Sequence, residues 1–338
     1  MPDNYSVFLG ELKNRIRQER LKAVLSANAA LVMMYWDIGN AILQKQNSEG
    51  WGAKVIDRLS HDLKETFPDM GGFSPRNLKY MRKFSESWPD RGIVQRTVAQ
   101  IPWRSNLAIL DKLKDPDLRL WYARKTIENG WSRNVLAFQI ETHLHERVGQ
   151  TTNNFEFALP PADSDMANQI FKDPYVFDFL GTADTRREAE LEQKLIDHLE
   201  KFLIELGQGF AFVGRQVHME VEEEDFYIDL LFYHLKLRCY VVVELKAGKF
   251  QAGHVSQLNM YMNIVDDLMR HPDDQKTIGL LLVKEKNQTL AKYALAGYTN
   301  PIGVAGWEKQ ITDSLPEDLK SSLPTIEEIE REMEEKEI

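Results

Sequence analysis

Asp229, Glu244 and Lys246 are the residues whose types and spacing could do chemistry. They lie in two runs, Phe226-Tyr227-Ile228-Asp229-Leu230-Leu231-Phe232-Tyr233 and Arg238-Cys239-Tyr240-Val241-Val242-Val243-Glu244-Leu245-Lys246, separated by a short turn. Both runs are dense in aromatic and β-branched residues, which fit the pleated surface of a sheet. Side chains alternate faces along a strand, so Glu244 and Lys246 share one face and Leu245 takes the other. A hairpin folded about Lys236-Leu237 sets Asp229 opposite Glu244, with cross-strand Cβ atoms about 4.5–5.5 Å apart. Two carboxylates held that close in an apolar sheet repel each other. A divalent cation between them removes the repulsion and creates a hydrolytic centre. The competing reading makes them surface residues of an edge strand. It sits badly with Val241-Val242-Val243, because an isolated buried charge is expensive.

The elements that must position these residues follow from periodicity. Residues 187–206 read as a helix with Leu191, Leu195, Leu199, Phe202, Leu203 and Leu206 on one side, closed by Gly207. Phe210–Gly214 and Gln216–Val221 read as one strand, bent or bulged, ahead of the hairpin. Ala252–Asp266 reads as a helix and Thr277–Val283 as a buried strand. The resulting order, αβββαβ, is that of an α/β sheet of mixed direction.

The first half has a different rhythm. Residues 8–46 carry Leu12, Ile16, Leu21, Val24, Leu25, Leu31, Val32 and Tyr35 at helix-like spacing, and a second helix follows over 54–66. After the turn Pro68–Gly72, Ser74 is placed to cap a third helix with Pro75 at its first position. In that helix Leu78, Met81 and Phe84 form an apolar stripe and leave Arg76, Lys79, Arg82 and Lys83 on other faces. Helix, glycine-containing turn and capped basic helix suggest helix-turn-helix geometry, with these four cations facing nucleic acid. An ordinary solvated basic face is the competing reading. Further helices are expected over 105–113, 116–128 and 132–147, with Trp88, Trp103, Trp121 and Trp131 as core anchors rather than stacking platforms. The expected organisation is therefore an all-α domain over 1–150, a polar, proline-bearing linker over 151–165, an α/β domain over 166–312 and an acidic tail over 313–338.

Composition narrows the class. The 338 residues are 43% hydrophobic and 28% charged, as in a globular protein with room for two cores. No apolar run approaches the roughly 18 residues needed to span a bilayer. The N-terminus shows no secretory signal pattern, and the single cysteine, Cys239, excludes an internal disulfide or a cysteine-rich zinc cluster. These features point to the cytoplasm. The net charge of -10 is unevenly spread: residues 1–150 hold 23 Lys and Arg against 17 Asp and Glu, and the remainder holds 19 against 35. A positive first half suits a polyanionic partner. His218, His234, His254 and His271 lack zinc-ligand spacing. No phosphate-binding Gly-x-x-x-x-Gly-Lys-Ser/Thr loop is present, so any ATP-driven motor would be a partner chain.

The arrangement Asp229…Glu244-x-Lys246 within αβββαβ resembles the PD-(D/E)XK nuclease superfamily. Gln257-Leu-Asn-Met-Tyr261 matches the Gln-x-x-x-Tyr motif of its RecB-like members. More closely, Phe202–Gly207, Phe226–Tyr233, Glu244-Leu245-Lys246 and the N-terminal Gly72–Leu78 segment resemble the YhcG-type family over most of the chain. One departure is that Ile228, not proline, precedes Asp229; that proline carries no chemistry. The resemblance implies a deoxyribonuclease in which Asp229, Glu244 and the Leu245 carbonyl hold Mg²⁺ or Mn²⁺. Lys246 would position the attacking water, with Gln257 and Tyr261 assisting. It also implies a further carboxylate on the preceding helix, for which Glu192 competes with Glu188 and Glu190. DNA is the expected partner, and the resemblance admits a homo-oligomer or a partner protein of a restriction or defence system. The alternatives are a DNA-binding module with little or no cleavage, and a nuclease acting on RNA or branched junctions.

Overall fold

The computed structural model describes residues 5–50, 53–177, 180 and 188–308. The acidic tail expected over 313–338 lies outside them. The chain forms two compact units, one running through Ile140 and the other beginning at Glu141.

The first unit is helical. It comprises α1 (Tyr5–Glu49), α2 (Ala53–Thr66), α3 (Pro75–Ser87), α4 (Arg91–Arg96), α5 (Trp103–Lys112), α6 (Pro116–Asn129) and α7 (Arg133–Glu141), which runs to the junction. The α3 start follows the sequence: Ser74 accepts a hydrogen bond from the Asn77 N–H at 3.2 Å, with Pro75 in the first turn. Leu78, Met81 and Phe73 pack against Tyr35, Ile42 and Ile56. Trp103 joins this core edge-on to Tyr35 and Phe84, at ring distances of 5.0 and 5.1 Å. Helices α1 and α3 meet backbone to backbone at Gly39, where a Cβ would stand 2.0 Å from the Met81 carbonyl oxygen. Only glycine permits that approach.

The second unit comprises α8 (Leu144–Arg147), β1 (Thr152–Asn153), α9 (Phe155–Ala158), α10 (Pro161–Ile170), β2 (Tyr175–Val176), α11 (Glu188–Asp197), α12 (Leu199–Leu206), β3 (Phe210–Val221), β4 (Glu224–His234), β5 (Cys239–Lys249), α13 (Ala252–Leu268), β6 (Ile278–Glu285), α14 (Gln288–Leu295) and β7 (Ile302–Glu308). The sheet order is β1-β7-β6-β5-β4-β3, with β2 also paired to β7. Strands β3, β4 and β5 are antiparallel, and β5, β6 and β7 are parallel. One face packs Leu230, Phe232, Val241, Val243 and Leu245 against α10, α11 and α12; the other packs Leu231, Val242, Leu281 and Val283 against α13 and α14. Each face of the sheet is thus covered, which explains the continuous apolar run of β5. Cys239 is fully buried, and burial pushes its thiol up to about 12. Among the described residues no helix is long and apolar enough to cross a membrane.

Three expectations need correction. The helix expected over 132–147 breaks at His143, which adopts a left-handed φ of 50°. The helix expected over 187–206 divides at His198 into α11 and α12. Residues 151–165 are no linker but contribute β1, α9 and the first half of α10. Their polar residues, which resemble linker composition, satisfy backbone groups. Asn154 donates to the Tyr298 and Asn300 carbonyls and accepts from the Ile302 N–H. Residues 141–150 also belong to the second unit: buried Arg147 pairs with buried Glu205 at 2.5 Å and donates to the Pro174 carbonyl.

Candidate active site

The site grows from the β4–β5 hairpin. Five pairs, from His234–Cys239 to Leu230–Val243, hold the register expected from a fold about Lys236-Leu237. Beyond Leu230 the pairing stops. The Asp229 carboxylate accepts the Leu245 N–H through Oδ2 at 2.9 Å, in place of a simple opposition to Glu244. A local break in β3 and β4 accounts for this. Ile228 and Leu231 pack in one core while Leu230 and Phe232 pack in the other, so strict alternation fails at Asp229. On the neighbouring strand, Arg215–Leu230 and Val217–Ile228 are paired, and Gln216 between them has a φ of 41°. Such irregularities re-aim side chains.

Glu244 is 2% exposed and accepts from Lys246 Nζ through Oε1 at 2.9 Å. Its Oε2 is buried without a hydrogen-bond partner among the described residues. The alternation expected along β5 holds, since Glu244 and Lys246 meet while Leu245 enters the opposite core. Lys246 Nζ also reaches Glu188 Oε2 at 3.3 Å, and the Lys246 carbonyl accepts from Trp307 Nε1 at 3.1 Å. From α11, Glu192 is 8% exposed. Gln216 Nε2 bridges it to the strand, donating to Glu192 Oε2 at 2.7 Å and to Asp229 Oδ1 at 3.3 Å. The rivals on α11 therefore separate: Glu192 joins Asp229, Glu188 joins Lys246, and Glu190 is exposed.

Burial dominates the electrostatics. It raises Asp229 above the ordinary carboxylate range, with the Leu245 N–H opposing. Glu244 is pushed up to about 7, first by burial and then by the neighbouring Asp229 charge. Glu192 is raised by burial. Burial works to lower Lys246, but Glu244, Glu188 and Asp229 together outweigh it and hold the ammonium above its usual value. The cluster has an excess of hard, deprotonatable oxygen donors over cations, and one of those oxygens is an unpartnered buried atom. Such a donor set fits a small divalent cation such as Mg²⁺ or Mn²⁺.

Other expected site residues are placed as follows. Gln257 and Tyr261 lie one turn apart on α13 and bond to each other at 2.9 Å. Tyr261 is part of the α13-side core, its ring 6.5 Å from that of Phe226. Among the described residues no hydrogen bond joins either to Lys246. On α3, Arg76 and Lys79 are exposed. Arg82 donates to Gln46 Oε1 at 3.1 Å, Lys83 pairs with Asp111 at 2.9 Å, and the Arg76 guanidinium lies over the Tyr80 ring, 5.8 Å from its centroid. Sequence reasoning missed Gln216 and the Glu188–Lys246 contact; the bend expected near Gly214 was the only signal of the former. A separate group, His143, His145 and Glu146, brings three possible ligand atoms within 4.8 Å of one another at the α7–α8 turn. It shares no residue with the carboxylate cluster.

Comparison with known proteins matches residues 168–324 to the YhcG PDDEXK nuclease domain and residues 11–147 to the DUF1016 N-terminal domain. A curated Escherichia coli (strain K12) protein, "Putative nuclease YhcG", is 34% identical over 91% of this chain and 92% of its own length. Among solved structures, a repair endonuclease from Pyrococcus abyssi has 20% identity and a TM-score of 0.26, over 37% of this chain and 46% of that one. An EndoMS–dsDNA complex has 19% identity and a TM-score of 0.26, over 40% and 48%. This chain thus spans less than half of either solved chain, and at those scores neither likeness bears on its fold or activity.

Proposed function

The chain belongs to the YhcG family of PDDEXK nucleases, and from that premise we propose that it hydrolyses DNA phosphodiester bonds with Mg²⁺ or Mn²⁺ at Asp229, Glu244 and Lys246. The observation that carries this reading is the buried Glu244 oxygen without a partner, beside an aspartate and a lysine on the same hairpin. Asp229, Glu244 and the Leu245 carbonyl would hold the cation, with Glu192 as a further carboxylate. When bound, it supplies Lewis acidity toward the phosphate and a water of lowered pKa.

The protein's own groups do the rest. Lys246, kept protonated by Glu244 and Glu188, orients the attacking water and donates to the phosphoryl oxygens, where negative charge grows. Trp307 fixes the Lys246 carbonyl and thereby the strand from which the ammonium projects. Gln216 holds Asp229 and Glu192 in one constellation. Gln257 and Tyr261 would orient Lys246 or the phosphate without breaking their mutual bond, since it leaves the Gln257 Oε1 acceptor and the Tyr261 O–H donor to serve. The positive balance of residues 1–150 supports DNA contact by the helical unit, with exposed Arg76 and Lys79 as its foremost cations and Arg82 and Lys83 behind them.

The test is cleavage of supercoiled plasmid by wild type, Asp229→Ala and Lys246→Ala. Metal-dependent nicking is expected in wild type and a loss on the order of 10²–10³-fold or more in each variant. Equal cleavage by wild type and variants would remove the site. Plasmid bound but uncut by wild type would favour a binding module, and RNA or branched substrates cut instead would replace the substrate.

A further inference from the structure

The first turns of α1 carry an apolar stripe that stays largely exposed among the described residues of the helical unit. Tyr5, Phe8, Leu12 and Ile16 are 52%, 56%, 39% and 65% exposed, and every residue from Glu11 to Ala23 is exposed. Their spacing of three, four and four residues puts all four on one side of the helix. The stripe is bordered by cations: Arg15 lies three residues after Leu12 and Lys13 three before Ile16, on opposite flanks. Over residues 11–22 five basic residues face two acids, Glu11 and Glu19, and Glu19 is paired with Lys22 at 2.9 Å.

The same chain contains a segment of opposite character. From Thr325 to Ile338, Ile326, Ile329 and Met333 recur at positions i, i+3 and i+7. Seven glutamates fall between 327 and 337, opposed only by Arg331 and Lys336. We propose that this acidic segment, which lies outside the described residues, docks through its apolar positions and glutamates on the basic-bordered stripe of the α1 arm. Both halves of the complementarity point to it. Apolar side chains at helical spacing meet apolar side chains, and glutamates meet Lys13 and Arg15. A second copy of the arm would match the apolar stripe but set like charges together. A nucleic acid would match the charge but leave the stripe in water. The docking is independent of the catalytic reading, since none of these residues belongs to the carboxylate cluster.

Hydrogen exchange of residues 5–22 in the full chain, and in a chain ending at Pro324, tests this. A helix end without tertiary partners exchanges freely, whereas a covered one does not. At low salt the full chain is expected to exchange there at least about ten-fold more slowly than the shortened one. A synthetic peptide of residues 325–338 should restore the protection, and high salt should weaken it. Lys13→Glu with Arg15→Glu should abolish protection, and Glu330→Lys with Glu334→Lys should recover it. Identical exchange in the two chains overturns the proposal. So does protection that survives the truncation together with a doubled mass, which would give the stripe to a second copy.

Discussion

At the scale of single residues, the proposed function makes this a site that would exchange protons for a cation. Glu244 sits about at neutrality and Asp229 and Glu192 are raised, so part of the carboxylate cluster is protonated in mild acid. The sign for stability follows. A carboxyl whose folded pKa lies above its unfolded value stabilises the fold below the unfolded pKa, near 4.5 for Glu244. That contribution is lost as pH rises through about 7. A cation bound as proposed would restore the balance only where the carboxylates are ionised. Thermal unfolding with and without Mg²⁺ should therefore show little stabilisation at pH 5.5 and a gain at pH 8 of about 2–3 kcal/mol at a hundred-fold excess over Kd. The gain should vanish in Asp229→Asn; a pH-independent gain would place the ion elsewhere. Asp229, Glu244 and Lys246 were legible in the sequence because strand periodicity and a valine run constrain them. Gln216 was not, because a glutamine in a strand has no distinguishing pattern until a left-handed φ turns it toward two carboxylates.

At the scale of elements, the β3 irregularity separates backbone from side-chain roles. Gln216→Gly removes the bridge but suits the positive φ, so stability should change by less than about 1 kcal/mol. Plasmid cleavage should nonetheless fall roughly ten-fold, because Asp229 and Glu192 lose their shared donor. Unchanged cleavage would make the bridge incidental. In the helical unit, Gly39→Ala drives a methyl group into the Met81 carbonyl, and overpacking of this kind costs about 1–3 kcal/mol, readable as a lowered Tm. Hairpin register was readable because apolar residues and turn length fix it. The breaks at His143 and His198 were not, since apolar spacing continues across both. Residues 151–165 misled for a different reason: polar residues that bond to backbone groups have the composition of a linker.

At the scale of the whole molecule, charge is divided along the sequence, with the basic excess in the half that contains α1 and α3. If exposed Arg76 and Lys79 meet phosphates, Arg76→Ala with Lys79→Ala should weaken duplex binding for all sequences alike. The slope of log affinity against log salt should flatten by about 2 in magnitude, measured by fluorescence anisotropy. An unaltered slope would remove α3 from the interface. Arg82→Ala and Lys83→Ala should act instead through the contacts to Gln46 and Asp111, lowering Tm more than affinity.

Cys239 has a practical consequence. It is the chain's only thiol, it lies in the sheet core, and its proton is held to about pH 12. The thiolate is the reactive form, so maleimide reagents have no native target while the fold persists. A cysteine introduced on any exposed turn would take a fluorophore or spin label stoichiometrically, without first deleting a residue from the core. Labelling of the unaltered chain would conversely report exposure of β5 itself, giving a chemical clock for opening of the sheet that carries the carboxylates.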